Sequence, residues 1–415
     1  MCFPCRKFLI KLQNEGSVMN VIKNKVIVWS IDDFNTMGLM RELGQSNLDL
    51  MFLVKGQAGF ACKSKYCKKY KETESIEEGF EFLVSSFKEE KVKPILIISS
   101  DEIITYVDQH RDQIQEYVII PGTSVQGNTE KYIDKNTMTA LAKEIGILCP
   151  ESRYINWNSS IEGINYPCLI KPSHQKPGHY NEFKTKICKN VKQLKRTLKL
   201  VRHDSDFILQ QFIPKELDLL VYGGRMRDGK TVVAGAMIRD RWADSGSSSH
   251  GYLIGEVPPC ADVHKIEEFL ERIDYYGLFS FEYGIVGDKA YFFEVNLRND
   301  GTSHYFYQGG ANIPLAYVYS CAGLDYTQIS TVVKEKAWFI DEVFDIENVI
   351  TKKISKAQWK KEMDEATIFK YYDKDDTEPW EIVKRGKTKQ IIQDLILKRY
   401  RLYIVYILDK IGLRK

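Results

Sequence analysis

The sequence predicts an α/β unit at the N-terminus, a mixed α+β module after it, and a helical C-terminal extension. Three observations carry that expectation. Short apolar runs at 25–31 (KVIVWSI), 49–54 (DLMFLV) and 94–100 (PILIISS) alternate with helical patterns, as in a parallel sheet covered on both faces. Strand-like runs at 208–213, from 219 and over 231–239 lead to a hairpin pattern over 278–298. From about residue 329 the chain becomes basic and mostly helical in pattern, with ten Lys or Arg against two Asp in 384–415.

At 415 residues the chain is too long for one simple core, and the patterns divide it at 1–18, 19–120, 121–328 and 329–415. Its 44% hydrophobic and 28% charged residues are those of an ordinary soluble protein, and a net charge of +3 makes no general case for nucleic acid. The 24 Tyr and 20 Phe fall mainly in strand-like runs, where core packing accounts for them. Nine cysteines without a pairing pattern point to a reducing cytoplasm. Cys2 and Cys5 with Cys62 and Cys67 have the composition of a thiolate zinc site, but one pair is terminal and the other lies in a Lys-rich loop. Residues 1–18 lack a signal peptide's apolar run and are expected to be a disordered extension.

Within the first unit the 25–31 run precedes a helical stretch ending near Gly44, and 76–90 reads as an amphipathic helix. Ligands of parallel sheets bind beyond the carboxyl ends of strands, which singles out 30–35 and 99–101. No Gly-x-Gly-x-x-Gly follows the first strand, so dinucleotide binding is disfavoured. Residues 136–146 form the next helix, with Asp134 or Asn136 as N-cap and Gly146 beyond its end. A strand at 168–171, a polar loop at 172–181 and a helix at 191–201 follow. Residues 244–251 (DSGSSSHG) read as flexible, 261–275 as a helix and 309–323 as a small-residue turn with a helix.

The hairpin is the most informative segment. A three-residue loop at Gly287-Asp288-Lys289 sets Glu282 opposite Glu294, about 5 Å apart at Cβ. Strict alternation puts Tyr291, Phe293 and Val295 on one face and Glu294, Asn296 and Arg298 on the other. Two carboxylates that close repel unless a cation lies between them. A hard divalent ion with oxygen ligands answers that, with Asn296 as a third oxygen and Arg298 beside it for an anion.

This Glu followed by Glu-x-Asn-x-Arg resembles the metal-binding end of the ATP-grasp superfamily. The resemblance spans about residues 90–325 and rests on collinear motifs. Lys135, in the Asp-Lys that opens a helix, and Lys171, in YPCLIKPS, match the two ATP-phosphate lysines. FILQQFIPKELDLLVYG matches the hinge strand, with Gln210, Gln211, Phe212 and Ile213 around adenine; Glu216 or Asp218 would hold ribose, the spacing favouring Asp218. The resemblance implies ATP with one or two Mg²⁺, or Mn²⁺, held by Glu282, Glu294 and Asn296. Arg298 and one of Arg239 and Arg241, with Arg241 carried as the candidate, would act near the transferred phosphate. It further implies an ADP-forming ligase that activates a carboxylate as an acyl phosphate for attack by an amine, similar to D-aspartate ligase-like and carbamoyl-phosphate-synthetase-like members.

An acceptor in cell-envelope or polysaccharide synthesis is one expectation; a kinase that stops at phosphoryl transfer and a non-catalytic nucleotide-binding protein are the rivals. Three departures stand out: one glycine, Gly178, in the 173–180 loop, Gln210-Gln211 where an acid is frequent, and Asn-Asp-Gly-Thr after Arg298. The basic tail, 384–415, with LYIVYIL at 402–408, suits either packing on protein, in a homodimer for instance, or an anionic membrane surface.

Overall fold

The computed structural model describes residues 21–156, 158–172, 185–199, 206–243, 247–390 and 393. The expectations for 1–18, for the loop at 173–181 and for the apolar run at 402–408 lie outside those residues.

The first unit runs β1 (Val26–Ser30), α1 (Phe34–Gly44), β2 (Leu50–Lys55), β3 (Tyr70–Thr73), α2 (Ile76–Phe87), β4 (Ile95–Ile98), α3 (Asp101–Gln109) and the one-turn α4 (Arg111–Ile114). Its sheet has the order β3-β2-β1-β4 and is parallel throughout. Alternate residues serve opposite layers: Ile27, Trp29, Leu53, Leu96 and Ile98 face α2 and α3, whereas Val26, Val28, Phe52, Val54 and Ile97 face α1. Strand β3 had no apolar signal, because YKET is a charged edge strand. Helix α1 starts where Asp33 accepts the Thr36 N–H at 3.0 Å, and α2 where Ser75 accepts that of Glu78 at 3.2 Å.

Next come β5 (Gly122–Thr123), α5 (Asn128–Ile133) and α6 (Lys135–Glu144). A small antiparallel sheet, order β6-β9-β7-β8, is formed by β6 (Ser152–Asn156), β7 (Cys168–Pro172), β8 (Lys186–Cys188) and β9 (Asp206–Gln211), with α7 (Val191–Leu198) against it. It keeps its own core of Ile155, Ile170, Leu194, Phe207 and Leu209.

The large sheet contains β10 (Leu217–Arg225), β11 (Thr231–Trp242), β12 (Ser248–Ile254), β13 (Tyr275–Val286) and β14 (Lys289–Asn296), with α8 (Val263–Arg272) between β12 and β13. Helices α9 (Ser303–Gln308) and α10 (Ile313–Cys321) follow, then β15 (Ala337–Ile340), α11 (Ile346–Ile350), α12 (Lys356–Glu365) and β16 (Ile368–Phe369). Strand order is β14-β13-β10-β11-β12-β15-β16, with β5 against the start of β13. One face packs Leu219, Val221, Phe281, Phe292 and Val295 under α6 and α8; the other packs Leu220, Tyr222, Met237 and Leu253 into the core shared with α1 and α10.

One expectation needs correction and another an addition. Residues 248–251 are the start of β12, since their backbone pairs with both β11 and β15 despite the Ser/Gly composition. The C-terminal part is helical but also contributes β15 and β16, which extend the large sheet.

Candidate functional site

The site candidates gather where the large sheet meets the carboxyl edge of the parallel sheet. The β13–β14 turn has two residues, Gly287 and Asp288, because Val286 pairs with Lys289; a three-residue loop is not what forms. A one-residue bulge between Glu282/Glu294 and Tyr283/Phe292 makes up the count, so Glu282 still faces Glu294. The bulge also changes the phase of β14. Ala290, Phe292 and Val295 are the buried residues, while Phe293 turns out toward Gly284 and Lys215 and is half-buried. Strict alternation therefore misplaced Phe293 and Tyr291.

Each acidic group in this cluster is already neutralised. Arg239 donates to Glu282 at 2.7 Å, and Lys135 lies 3.3 Å from Glu294. Burial acts to raise the Glu282 pKa, but Arg239, Asn296 and Arg298 outweigh it and hold the carboxyl below its ordinary value. The Asn296 amide donates to Ser280 at 3.0 Å and to Glu282 and Asp300 at 3.4 Å, and its oxygen accepts from Arg298 at 3.3 Å. Arg298 forks onto Asp101 at 2.6 and 3.0 Å, so an arginine of the large sheet grips the helix that leaves β4. Asp101 belongs to the sheet edge that strand polarity singled out.

Behind that edge lies a buried polar seam. Asn299 donates to Asn35 at 2.7 Å and to Ser303 at 3.1 Å, accepts from Tyr222 at 2.9 Å, and its N–H bonds Ile98 at 3.0 Å. Ser303 donates to Glu42 at 3.0 Å. Burial pushes the Glu42 carboxyl up to about 8, and burial with Arg41 nearby lowers His304 to about 3. At neutral pH Glu42 holds a proton and His304 is uncharged, so their 3.8 Å approach is no ion pair.

Lys135 is the first residue of α6. Of the two caps weighed, Asp134 is the one used, accepting the N–H groups of Asn136 and Thr137 at 3.1 and 3.0 Å. Lys171 sits opposite on β7, half-buried, and donates to Gln210 at 3.3 Å. Burial first, and then the Lys135 charge, lowers its pKa to about 8, against a smaller opposing effect of Glu294. Gln210 in turn donates to Ser152 at 3.0 Å, Gln211 is the exposed end of β9, and Ile213 is buried next to half-buried Phe212.

Asp218 lies on the same sheet face as Glu282, but Lys215 holds it at 2.5 and 2.7 Å and the Trp242 indole at 2.9 Å. A ribose would share that carboxylate; Glu216 is exposed. The structure does not bring Arg241 to the cluster. A register shift between Arg239 and Arg241 turns it toward Asp345 and Glu362, each at 2.8 Å, and Arg239 stands in the position expected of it. His250 is bound to Asp240 at 2.7 Å and stacks on Trp338.

Sequence reasoning missed Phe293. Its ring approaches Gly284, and Lys215 lies 5.7 Å from its centre and 5.0 Å from that of Trp242, which makes an aromatic rim at the hinge. The bulge that exposes it has no local sequence signal.

The donor chemistry fits both groups implied by the motifs. Glu282, Glu294 and Asn296 offer oxygen donors on one face, suited to a hard cation. Among the described residues no three His, Cys, Asp or Glu side chains converge as a metal cluster, so the acidic pair depends on the amide to complete it. Lys135 on α6 is close enough for its charge to act on Lys171 of β7, and an anion would stabilise the pair.

No family model matches the chain. Among solved structures, N5-carboxyaminoimidazole synthetase of Staphylococcus aureus, complexed with ADP, superposes with a TM-score of 0.62 at 12% identity over 81% of this chain and 88% of that one. An L-amino acid ligase from Bacillus licheniformis gives 0.58 at 13% identity, covering 76% and 79%. The formate-dependent phosphoribosylglycinamide formyltransferase of Bacillus velezensis is 23% identical over 223 residues, 51% of this chain; the chain spans 56% of that enzyme's length.

Proposed function

The chain has the ATP-grasp fold, and from that premise we propose an ADP-forming ligase that joins a carboxylate to an amine. The observation that carries it is Glu282 facing Glu294, with Asn296 and Arg298 on the same face and two lysines above. Lys135 and Lys171 bind the triphosphate from opposite layers. Glu282, Glu294 and Asn296 hold the divalent cation, which when bound supplies further neutralisation of phosphate charge. Arg239 and Arg298 steady the developing charge and orient the anionic substrate. Gln210 to Ile213, with Phe293, enclose the base, and Asp218 reaches the ribose. No side chain is needed as a nucleophile, since the substrate carboxylate accepts the phosphoryl group and the amine displaces it.

The names of the similar enzymes favour purine-type amines and amino acids over an envelope precursor. ADP release should therefore be screened with aminoimidazole ribonucleotide plus bicarbonate, then with pairs of amino acids, then with sugar acids. ADP release that needs both a carboxylate and an amine supports the ligase. Release that needs a carboxylate or hydroxyl compound alone would make it a kinase.

No helix among the described residues is long and apolar enough to cross a membrane. For the basic tail, 384–415, packing on protein is the favoured reading, in keeping with the largely buried Lys387–Glu347 pair, and an anionic membrane surface is its rival. On an anionic surface each basic residue contributes about 1 kcal/mol. Sedimentation with anionic vesicles at low and high salt, for the full chain and a chain ending at 383, tests it. Absence of binding at low salt would leave packing on protein.

A further inference from the structure

We propose that the pocket between the far end of the β10–β11 hairpin and α8 binds a small zwitterion, an α-amino acid in chemical class, at a distance from the nucleotide site. Arg225 is the central observation. It is 9% exposed, its side chain makes no hydrogen bond or ion pair among the described residues, and its Nε is buried without a partner. Its one contact of note is with the Tyr276 ring, 5.8 Å from the ring centre. Thr231 is its cross-strand partner, and the Thr231 hydroxyl is likewise buried and unpartnered. Both line one cavity of about 440 Å³.

A buried guanidinium nitrogen and a buried hydroxyl are each costly without a partner. An oxyanion would satisfy both, a carboxylate being matched to the guanidinium fork. The opposite wall settles the rest of the ligand. Glu267 and Glu271, one turn apart on α8, line the same pocket, so a multiply charged phosphate would meet repulsion while an ammonium group would be attracted. Lys230 also lines the rim, where it is paired with Asp228 at 3.5 Å. Along β10, Arg225 lies five residues beyond Leu220, the partner of Glu282, or about 17 Å from the metal-ligand face.

Calorimetric titration of the full chain with L-alanine, L-glutamine and L-lysine, and with acetate and methylamine as half-ligands, tests the site. The expected result is saturable binding of at least one amino acid, with the half-ligands binding about tenfold more weakly or worse. Arg225→Met should raise the dissociation constant about tenfold or more, the loss of a charge-assisted pair. Glu271→Gln should raise it less, and Asn296→Ala should leave it unchanged. If Arg225→Met fails to fold, Thr231→Val and Glu271→Gln carry the test. The proposal is overturned if no amino acid saturates, if these variants bind as the parent does, or if Asn296→Ala abolishes binding. That last result would place the amino acid in the nucleotide site and leave the ligase reading intact.

Discussion

Glu294 and Asn296 are half-exposed on a strand whose pairing does not depend on them, so their removal should separate chemistry from folding. Glu294→Gln and Asn296→Ala are expected to abolish ADP release, while the unfolding free energy changes by less than about 1 kcal/mol for Glu294→Gln and by about 1–2 kcal/mol for Asn296→Ala, which also loses its bonds to Ser280 and Arg298. Near-parental activity with the same Mg²⁺ dependence would refute the metal assignment. Lys171→Ala should weaken ATP binding by about ten- to a hundredfold, and calorimetry checks it. The lowered pKa adds a pH signature. Below about pH 8 Lys171 carries its proton and meets phosphate as a cation; above it the free protein loses that charge. ATP affinity should fall as pH rises through about 8, with proton uptake on binding near that pH, and Lys171→Ala should lack both effects. The placement of the two lysines, Lys135 opening a helix and Lys171 near a strand end, was legible because each sits in a distinctive local context, Asp-Lys and Ile-Lys-Pro. The choice between Arg239 and Arg241 was not legible, because a register shift at Asp240 decides which of them meets Glu282.

For single elements, the bulge in β14 is the decisive local feature. It compensates a turn one residue shorter than expected, so the facing pair of glutamates survived an error in the loop. The same bulge reversed the phase of Tyr291 and Phe293, which alternation alone cannot foresee. Gly284 lets the bulge close: a Cβ there would lie 2.4 Å from the Phe293 ring and 3.2 Å from Lys215 Cβ. Gly284→Ala should therefore displace Phe293, cost about 1–3 kcal/mol of stability as overpacking does, and depress activity with it. Equal activity and melting temperature for this variant would show the bulge to be unconnected with the site. The parallel strands β1, β2 and β4 of the first unit were readable from its apolar runs, whereas β3 and β12 were hidden by charged and Ser/Gly composition; pairing with neighbours, rather than intrinsic preference, makes them strands.

Across the whole molecule, the C-terminal segment is tied to the first unit by contacts that local pattern cannot announce. Arg41 and Asp376, 335 positions apart, form a buried pair at 2.8 Å, with Ser64 and the Lys65 N–H completing the carboxylate at 2.7 and 2.9 Å. Asp376→Ala leaves a buried guanidinium short of its partner and should cost about 3–5 kcal/mol in denaturant unfolding. A loss below about 1 kcal/mol would mean that this anchor is not structural. The polar seam through Asn299 joins the first unit to the large sheet by directional bonds, so that joint is fixed in register. The small sheet has its own core and meets the rest along the hinge after Gln211. Lys171 rides on that sheet and Lys135 on α6, which packs with the large one. If both lysines hold a triphosphate, as proposed, it tethers the small sheet to the large one, and the nucleotide's residence time and the protein's shape become one variable. X-ray scattering should record a smaller radius of gyration with a non-hydrolysable ATP analogue, and Lys171→Ala should keep the longer dimension even when saturated with it.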